Sequence, residues 1–112
     1  MSEPSHQHLW FDGPHGQMLS VLINGDSGWL MYIRQPGDAG FSSRNPEYDG
    51  PANALIDYVI DNGQRDQYPA SWALPVPLIM RAIEYFQSTG LRPPFIAWHD
   101  DSHGEWAPAT AL

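Results

Sequence analysis

The segment that most constrains the fold is amphipathic and covers residues 74–98, LPVPLIMRAIEYFQSTGLRPPFIAW. Apolar side chains recur there at the spacing of one helix face, and polar side chains take the opposite face. The apolar positions are Val76, Ile79, Met80, Ile83 and Phe86. Proline is tolerated only in the first turn of a helix, so Pro75 and Pro77 mark its start, and Gly90 is typical of the residue after its end. The pattern predicts one long helix at about 76–89.

Segments with the two-residue period of β-strands precede this helix. Residues 17–23 and 29–34 flank the turn sequence NGDSG, which predicts a β-hairpin. A weaker strand is predicted at 40–43, and residues 54–61 and 64–68 flank Asn62-Gly63, a dipeptide typical of tight hairpins. The segment 64–68 is polar and ends at Pro69, which favours a sheet edge. After the helix, residues 95–98 are apolar and predict a buried strand.

This order of elements predicts an α+β fold, because strands that follow one another without intervening helices pair antiparallel. We expect an antiparallel β-sheet of about five to six strands packed against one long C-terminal helix. Burial of five apolar side chains on the helix would contribute about 7–15 kcal/mol before opposing terms, which is comparable with the net stability of a domain. We expect one domain over residues 1–112, with loosely ordered ends at 1–8 and 102–112.

The composition is acidic, with five Lys+Arg against thirteen Asp+Glu and a net charge of −8. Such a chain repels nucleic acid and anionic membranes, so we expect neither as a partner and expect a macromolecular partner to be basic. The absence of cysteine excludes disulfides and thiol chemistry. No apolar run has the length of a membrane span, and the N-terminal residues lack the features of a signal peptide. We therefore expect a cytoplasmic protein.

Side chains suited to metal binding follow the last predicted strand, at His99, Asp100 and His103. Histidines four residues apart align on a helix, whereas this segment follows a strand, and the sequence indicates no distant third ligand. No nucleophile elbow and no phosphate-binding glycine loop is present. We expect no enzymatic activity and no cofactor. A small metal-binding or hydrolytic domain that uses these three residues remains the alternative.

The five tryptophans divide into two groups by their surroundings. Trp29, Trp72 and Trp98 flank apolar runs, so we expect them in the core. Trp10 and Trp106 lie nearer the ends and are the better candidates for binding, because tryptophan is frequent at interaction hot spots.

Several short stretches, in a fixed order, carry a family resemblance. They are GWL at 28–30, GDAGF at 37–41, YDG at 48–50, ASW at 70–72, EYF at 84–86, TG at 89–90, RP at 92–93 and IAW at 96–98. Over residues 9–98, this combination resembles the Imm1 family of bacterial immunity proteins. The resemblance brings no catalytic motif with it.

The resemblance implies a non-enzymatic antitoxin encoded beside a polymorphic toxin, which often carries a nucleic-acid deaminase domain. A deaminase or nuclease toxin must present a basic groove to its substrate, and an acidic protein could be steered to that groove and occlude it. For the interface with the cognate toxin we expect the loop at 38–49 and an acidic strand face. The expected residues are Asp38, Phe41, Arg44, Glu47, Tyr48, Asp49, Asp57 and Asp61.

Overall fold

The computed structural model describes residues 6–60 and 62–101, which form an α+β architecture. The strands are β1 His6–Asp12, β2 Met18–Asn24, β3 Ser27–Ile33, β4 Phe41–Arg44, β5 Leu55–Val59, β6 Arg65–Pro69, β7 Leu74–Pro75 and β8 Ala97–Asp100. A 3₁₀ turn covers Ala70–Trp72, and the helix α1 covers Val76–Thr89. Within these residues, no helix is long and apolar enough to cross a membrane.

The main sheet has six antiparallel strands in the order β1-β2-β3-β4-β8, with the short β7 also beside β3. Strand β3 pairs with β4 through Met31 and Tyr32, and with β7 through Ser27 and Gly28. The sheet therefore divides beyond β3, and the two branches lead into different parts of the fold. Strands β5 and β6 form a second, two-stranded sheet. The predicted antiparallel α+β fold is confirmed.

Helix α1 has the bounds that the sequence predicted. Gly90 has a left-handed φ of 71° and donates its N–H to the carbonyl of Phe86 at 2.7 Å, which ends the helix. The helix buries Ile79, Ala82, Ile83 and Phe86 against one face of the main sheet. The prediction for Met80 is wrong, because its side chain is 47% exposed. At 3.6 residues per turn, position 80 lies about 110° from the centre of this buried face.

Strand β1 was not predicted, and residues 6–8 belong to it although a loosely ordered end was expected there. All seven of its residues pair with β2. Leu9 and Phe11 pack against the core below the helix, whereas Trp10 on the opposite face is 47% exposed. Two inward apolar residues at a sheet edge are a weak signal, and the long pairing with β2 determines the strand. Residues 1–5 and 102–112 lie outside the described part of the chain.

The β5–β6 hairpin covers part of the opposite face of the main sheet. A second core forms there from Leu22, Trp29 and Tyr58, with Tyr68 and Trp72 packed against it. Tyr58 is 1% exposed, and burial raises its pKa to about 12. The prediction that Trp29 is a core residue is confirmed, as is the hairpin turn, where Gly63 has a φ of 86°.

Strand β8 lies further along the chain than predicted. Residues 95–98 were expected as a buried strand, but Phe95 is 38% exposed and pairing with β4 begins at Ala97. The strand also continues for two residues beyond its predicted end at Trp98, because His99 pairs with Ser42 and Asp100 pairs with Phe41. Pairing with a strand that is distant in sequence determines these bounds more strongly than the polarity of the residues.

Candidate functional site

The loop that follows β4 is tied to the segment in front of the helix by Asn45. The Asn45 side-chain amide donates to the carbonyl of Ala73 at 2.9 Å, and its main-chain N–H donates to the carbonyl of Ser71 at 3.2 Å. Its side-chain oxygen accepts the N–H of Glu47 at 3.0 Å. Three hydrogen bonds from one residue give this loop a defined shape, with Glu47 on its exposed side.

Arg44 is held at the start of the same loop. Its guanidinium carbon lies 3.8 Å from the centroid of the Trp72 ring, a cation–π contact. The same guanidinium donates to the hydroxyl of Ser42 at 2.9 Å and to the carbonyl of Ser43 at 3.0 Å. Arg44 is therefore a positioned cation at the edge of the loop.

A groove of about 390 Å³ lies between this loop and the first turn of the helix. Residues 44–47 line it together with residues 95–97, which lie beside them because Ala97 pairs with Arg44. Leu74, Pro75 and Leu78 complete the lining, so its interior is mostly apolar. This β4–α1 groove lies where the main sheet divides, because the residues after β4 and those around β7 belong to its two branches. It brings together Arg44 and Glu47, two of the residues that the sequence predicted for the site.

Every arginine of the chain contacts a carboxylate or an aromatic ring. The partners are Asp38 for Arg34, Trp72 for Arg44, Asp57 for Arg65, Phe95 for Arg81 and Phe41 for Arg92. Contacts with carboxylates or rings restrict the mobility of these guanidinium groups, and three of the partners are neutral rings. The carboxylates, which exceed the arginines by eight over the whole chain, dominate the charge of the protein.

Asp38 and Phe41 lie away from the groove. Arg34 binds both carboxylate oxygens of Asp38 at 2.8 Å, and the Asp38 side chain is only 8% exposed. The Arg34 guanidinium holds the pKa of Asp38 well below its usual range. Phe41 lies at the start of β4, where the guanidinium of Arg92 is 4.0 Å from its ring centroid. The structure therefore separates these two residues from Arg44, at the other end of the strand.

We expect acid to remove the stabilisation that Asp38 supplies. A carboxyl whose pKa is lower in the folded than in the unfolded chain stabilises the fold above the unfolded value of about 3.9 and loses this effect as pH falls further. Urea unfolding of the wild type and of Asp38→Asn between pH 7 and pH 2.5 measures the effect. The difference in unfolding free energy between the wild type and Asp38→Asn should be constant near neutral pH and should decrease below about pH 4. A difference that keeps its neutral value at pH 2.5 would contradict this role.

The acidic strand face lies on the second sheet. Asp57 accepts a hydrogen bond from the Gln67 side chain at 2.7 Å and lies 3.9 Å from Arg65, both on the outward face of β6. Asp61 lies outside the described residues. Tyr48 and Asp49 follow Glu47 in the loop, and the Tyr48 hydroxyl donates to the carbonyl of Pro51 at 2.8 Å. Those predicted residues that the structure describes thus fall into three regions, and Arg44 and Glu47 line a concave one, the groove.

The residues of the metal-binding alternative do not converge where they can be placed. His99 and Asp100 are consecutive in β8 and point to opposite faces of the sheet. The His99 ring nitrogen Nδ1 is 2.7 Å from a carboxylate oxygen of Asp101. Among the described residues no three His, Asp or Glu side chains are grouped to hold a metal. His103, the third residue of this alternative, lies outside that part of the chain, as does Trp106.

Sequence reasoning missed Phe95 and Leu78 as lining residues of the groove. Phe95 was expected to be buried in a strand, and Leu78 was not on the predicted apolar face of the helix. The preceding Pro93-Pro94 pair was the available signal for Phe95, because proline cannot donate to a β-ladder and delays strand pairing. No local pattern indicates that these two residues face the loop at 44–47.

Comparison with known proteins gives a family match. The model described as immunity protein Imm1 matches residues 2–100, a range that includes both sheets, the helix and the whole groove. No curated protein matches the chain. Because the family model covers most of the sequence, the chain belongs to the Imm1 family of immunity proteins.

Proposed function

We propose that the chain binds and neutralises a cognate secreted toxin whose active domain acts on nucleic acid, either a deaminase or a nuclease, of which we favour the deaminase. The observation that carries this proposal is the Imm1 family match over residues 2–100. An immunity protein acts by forming a complex, so the protein would need no catalytic residues and no cofactor. The site of this action would be the cytoplasm of the cell that makes both proteins.

The charge of the chain supports a mechanism of occlusion. A domain that acts on nucleic acid carries a positively charged groove for the phosphate backbone. A protein of net charge −8 would be attracted to such a groove, and a complex there would exclude the substrate. We propose the loop at 44–49 and the adjoining β4–α1 groove as the centre of the interface. We propose the face of the second sheet that carries Asp57 as a further contact for the toxin.

Neutralisation is tested with the product of the toxin gene that neighbours the gene for this protein. We expect the two purified proteins to co-elute as a complex and deamination of an oligonucleotide to fall to background at a one-to-one ratio. An unrelated acidic protein of similar size and charge is the control for non-specific attraction. A toxin that stays free and fully active beside an excess of the protein would refute the proposal. If the toxin cleaves the oligonucleotide instead of deaminating it, the toxin is a nuclease and the deaminase part of the proposal is wrong.

The proposed electrostatic steering predicts a dependence on salt. Attraction between an acidic protein and a basic groove is screened beyond about 10 Å at 0.1 M ionic strength, and steered association can be 10–1,000-fold faster than unsteered association. We expect the association rate constant, measured by stopped-flow fluorescence, to fall at least about tenfold between 20 mM and 500 mM salt. The dissociation rate constant should change much less. An association rate that is independent of salt would exclude this mechanism of encounter.

A further inference from the structure

We propose that the β4–α1 groove receives an apolar side chain of the toxin, and that a basic residue of the toxin beside it pairs with Glu47. This inference rests on the proposed function and gives the chemistry of the toxin segment that the groove accepts.

The groove is preformed and mostly apolar. Leu74 and Ile96 in its lining are only 4% and 5% exposed, so they belong to the packed core and offer a rigid surface. The loop at 44–47, which also lines the groove, is fixed by the hydrogen bonds of Asn45 to Ala73 and Glu47. A groove that needs no rearrangement saves the cost of ordering on binding, so an apolar side chain that enters it gains most of the free energy of its burial.

Phe95 supplies an aromatic wall that the fold itself leaves exposed. Its ring is 38% exposed, stands edge-on to Tyr85 at a centroid distance of 5.9 Å, and lies 4.9 Å from the guanidinium of Arg81. These two contacts fix the ring without covering it. Aromatic side chains held in this way at a concave surface are typical of interaction hot spots, because they bury a large area at little entropic cost.

The size of the groove fits a side chain or two of a partner protein. Its volume of about 390 Å³ lies at the lower end of the ~300–1,000 Å³ range of ligand sites. Arg44 at the rim is already held by Trp72 and by two oxygen acceptors, so it shapes the opening. A single large apolar or aromatic side chain of the toxin, with its main chain outside the groove, meets these constraints.

The charge at the rim of the groove favours one type of toxin residue beside the apolar side chain that enters it. Glu47 is exposed, and no other described residue forms a hydrogen bond or an ion pair with its carboxylate. The chain as a whole carries a charge of −8. A lysine or arginine next to this apolar side chain would therefore meet a favourable potential and a carboxylate in reach, whereas an acidic residue there would be repelled.

The test compares groove variants with matched controls in binding to the purified toxin, measured by isothermal titration calorimetry. Phe95→Ala should weaken binding at least about tenfold, and Met80→Ala, which removes another exposed apolar side chain from outside the groove, should change it less than about twofold. Glu47→Lys should weaken binding at least about tenfold, and Glu84→Lys, with the same change in net charge, should have a clearly smaller effect. Urea unfolding of each variant confirms that it is folded, and Glu47→Lys alters only an exposed side chain.

The outcomes separate this inference from the proposed function. If the wild type neutralises the toxin but both groove variants bind like their controls, the groove inference is wrong and the proposed function stands. If the wild type neither binds nor inhibits the toxin, both are wrong. Sedimentation of the protein alone tests for a second copy in the groove, and a dimer that Phe95→Ala makes monomeric would overturn the inference. A small molecule that native mass spectrometry finds still bound within the toxin complex would also overturn it.

Discussion

Replacement of Trp29 by alanine is expected to lower the free energy of unfolding by about 3–5 kcal/mol, the range for large aromatic residues in a core. Trp29 is 5% exposed and connects the two sheets, since its ring stacks on Tyr68 at 4.2 Å and on Trp72 at 5.9 Å between centroids. Its indole N–H also donates to the carbonyl of Ser43 at 3.2 Å. The substitution leaves a large cavity and removes a hydrogen bond from a buried carbonyl, and both effects destabilise the folded chain.

Trp10→Ala is the matched control, because Trp10 is 47% exposed and lies outside the second core. Urea unfolding followed by far-ultraviolet circular dichroism should give a cost for Trp10→Ala of at most about 1 kcal/mol. Hydrogen exchange in the folded Trp29→Ala variant should increase more for the amides of β5 and β6 than for those of α1, since the hairpin loses its main contact. Equal stability losses for the two variants would show that Trp29 does not hold the sheets together.

Two sequence signals predicted their elements well because both are local. The prolines at 75 and 77 and the glycine at 90 fix the ends of α1 through φ restrictions and a missing N–H, which act wherever the chain folds. The dipeptide Asn62-Gly63 similarly determined the β5–β6 turn, in which Gly63 has a positive φ. By contrast, β1 and the second half of β8 consist largely of polar residues. Their extended conformation depends on pairing with β2 and β4, and no short window of sequence contains that information.

The candidate site was predictable only in part, for the same physical reason. The prolines and glycine of the loop indicated its position, and two of its residues, Arg44 and Glu47, do line the groove. The rest of the lining includes residues 95–97, about fifty positions later, which the pairing of Ala97 with Arg44 brings beside the loop. Charge patterns also do not show which carboxylates are already paired. Asp38 was predicted for the interface, yet both of its oxygens bind Arg34.

A second large effect is expected in the helix, where Phe86→Ala should cost about 3–5 kcal/mol of unfolding free energy and Met80→Ala about 1 kcal/mol or less. The sequence placed both residues on one apolar face. Phe86 is 1% exposed and stands edge-on to Tyr32 at 6.0 Å between centroids, at the centre of the main core, whereas Met80 is 47% exposed. Truncation of Phe86 therefore removes buried area and opens a cavity, while truncation of Met80 does neither to a comparable extent.

Alanine has the highest helix propensity, so both variants retain or improve the intrinsic stability of α1, and their difference isolates tertiary packing. Urea unfolding followed at one wavelength for the wild type and both variants gives the two costs on one scale. Similar losses of unfolding free energy for the two variants would mean that Met80 is packed in solution. The buried face of the helix would then include Met80, as the sequence predicted. A cost that is larger for Phe86 by at least about 2 kcal/mol would show that Phe86 lies in the core and Met80 does not, since cavity formation distinguishes a core position from an exposed one.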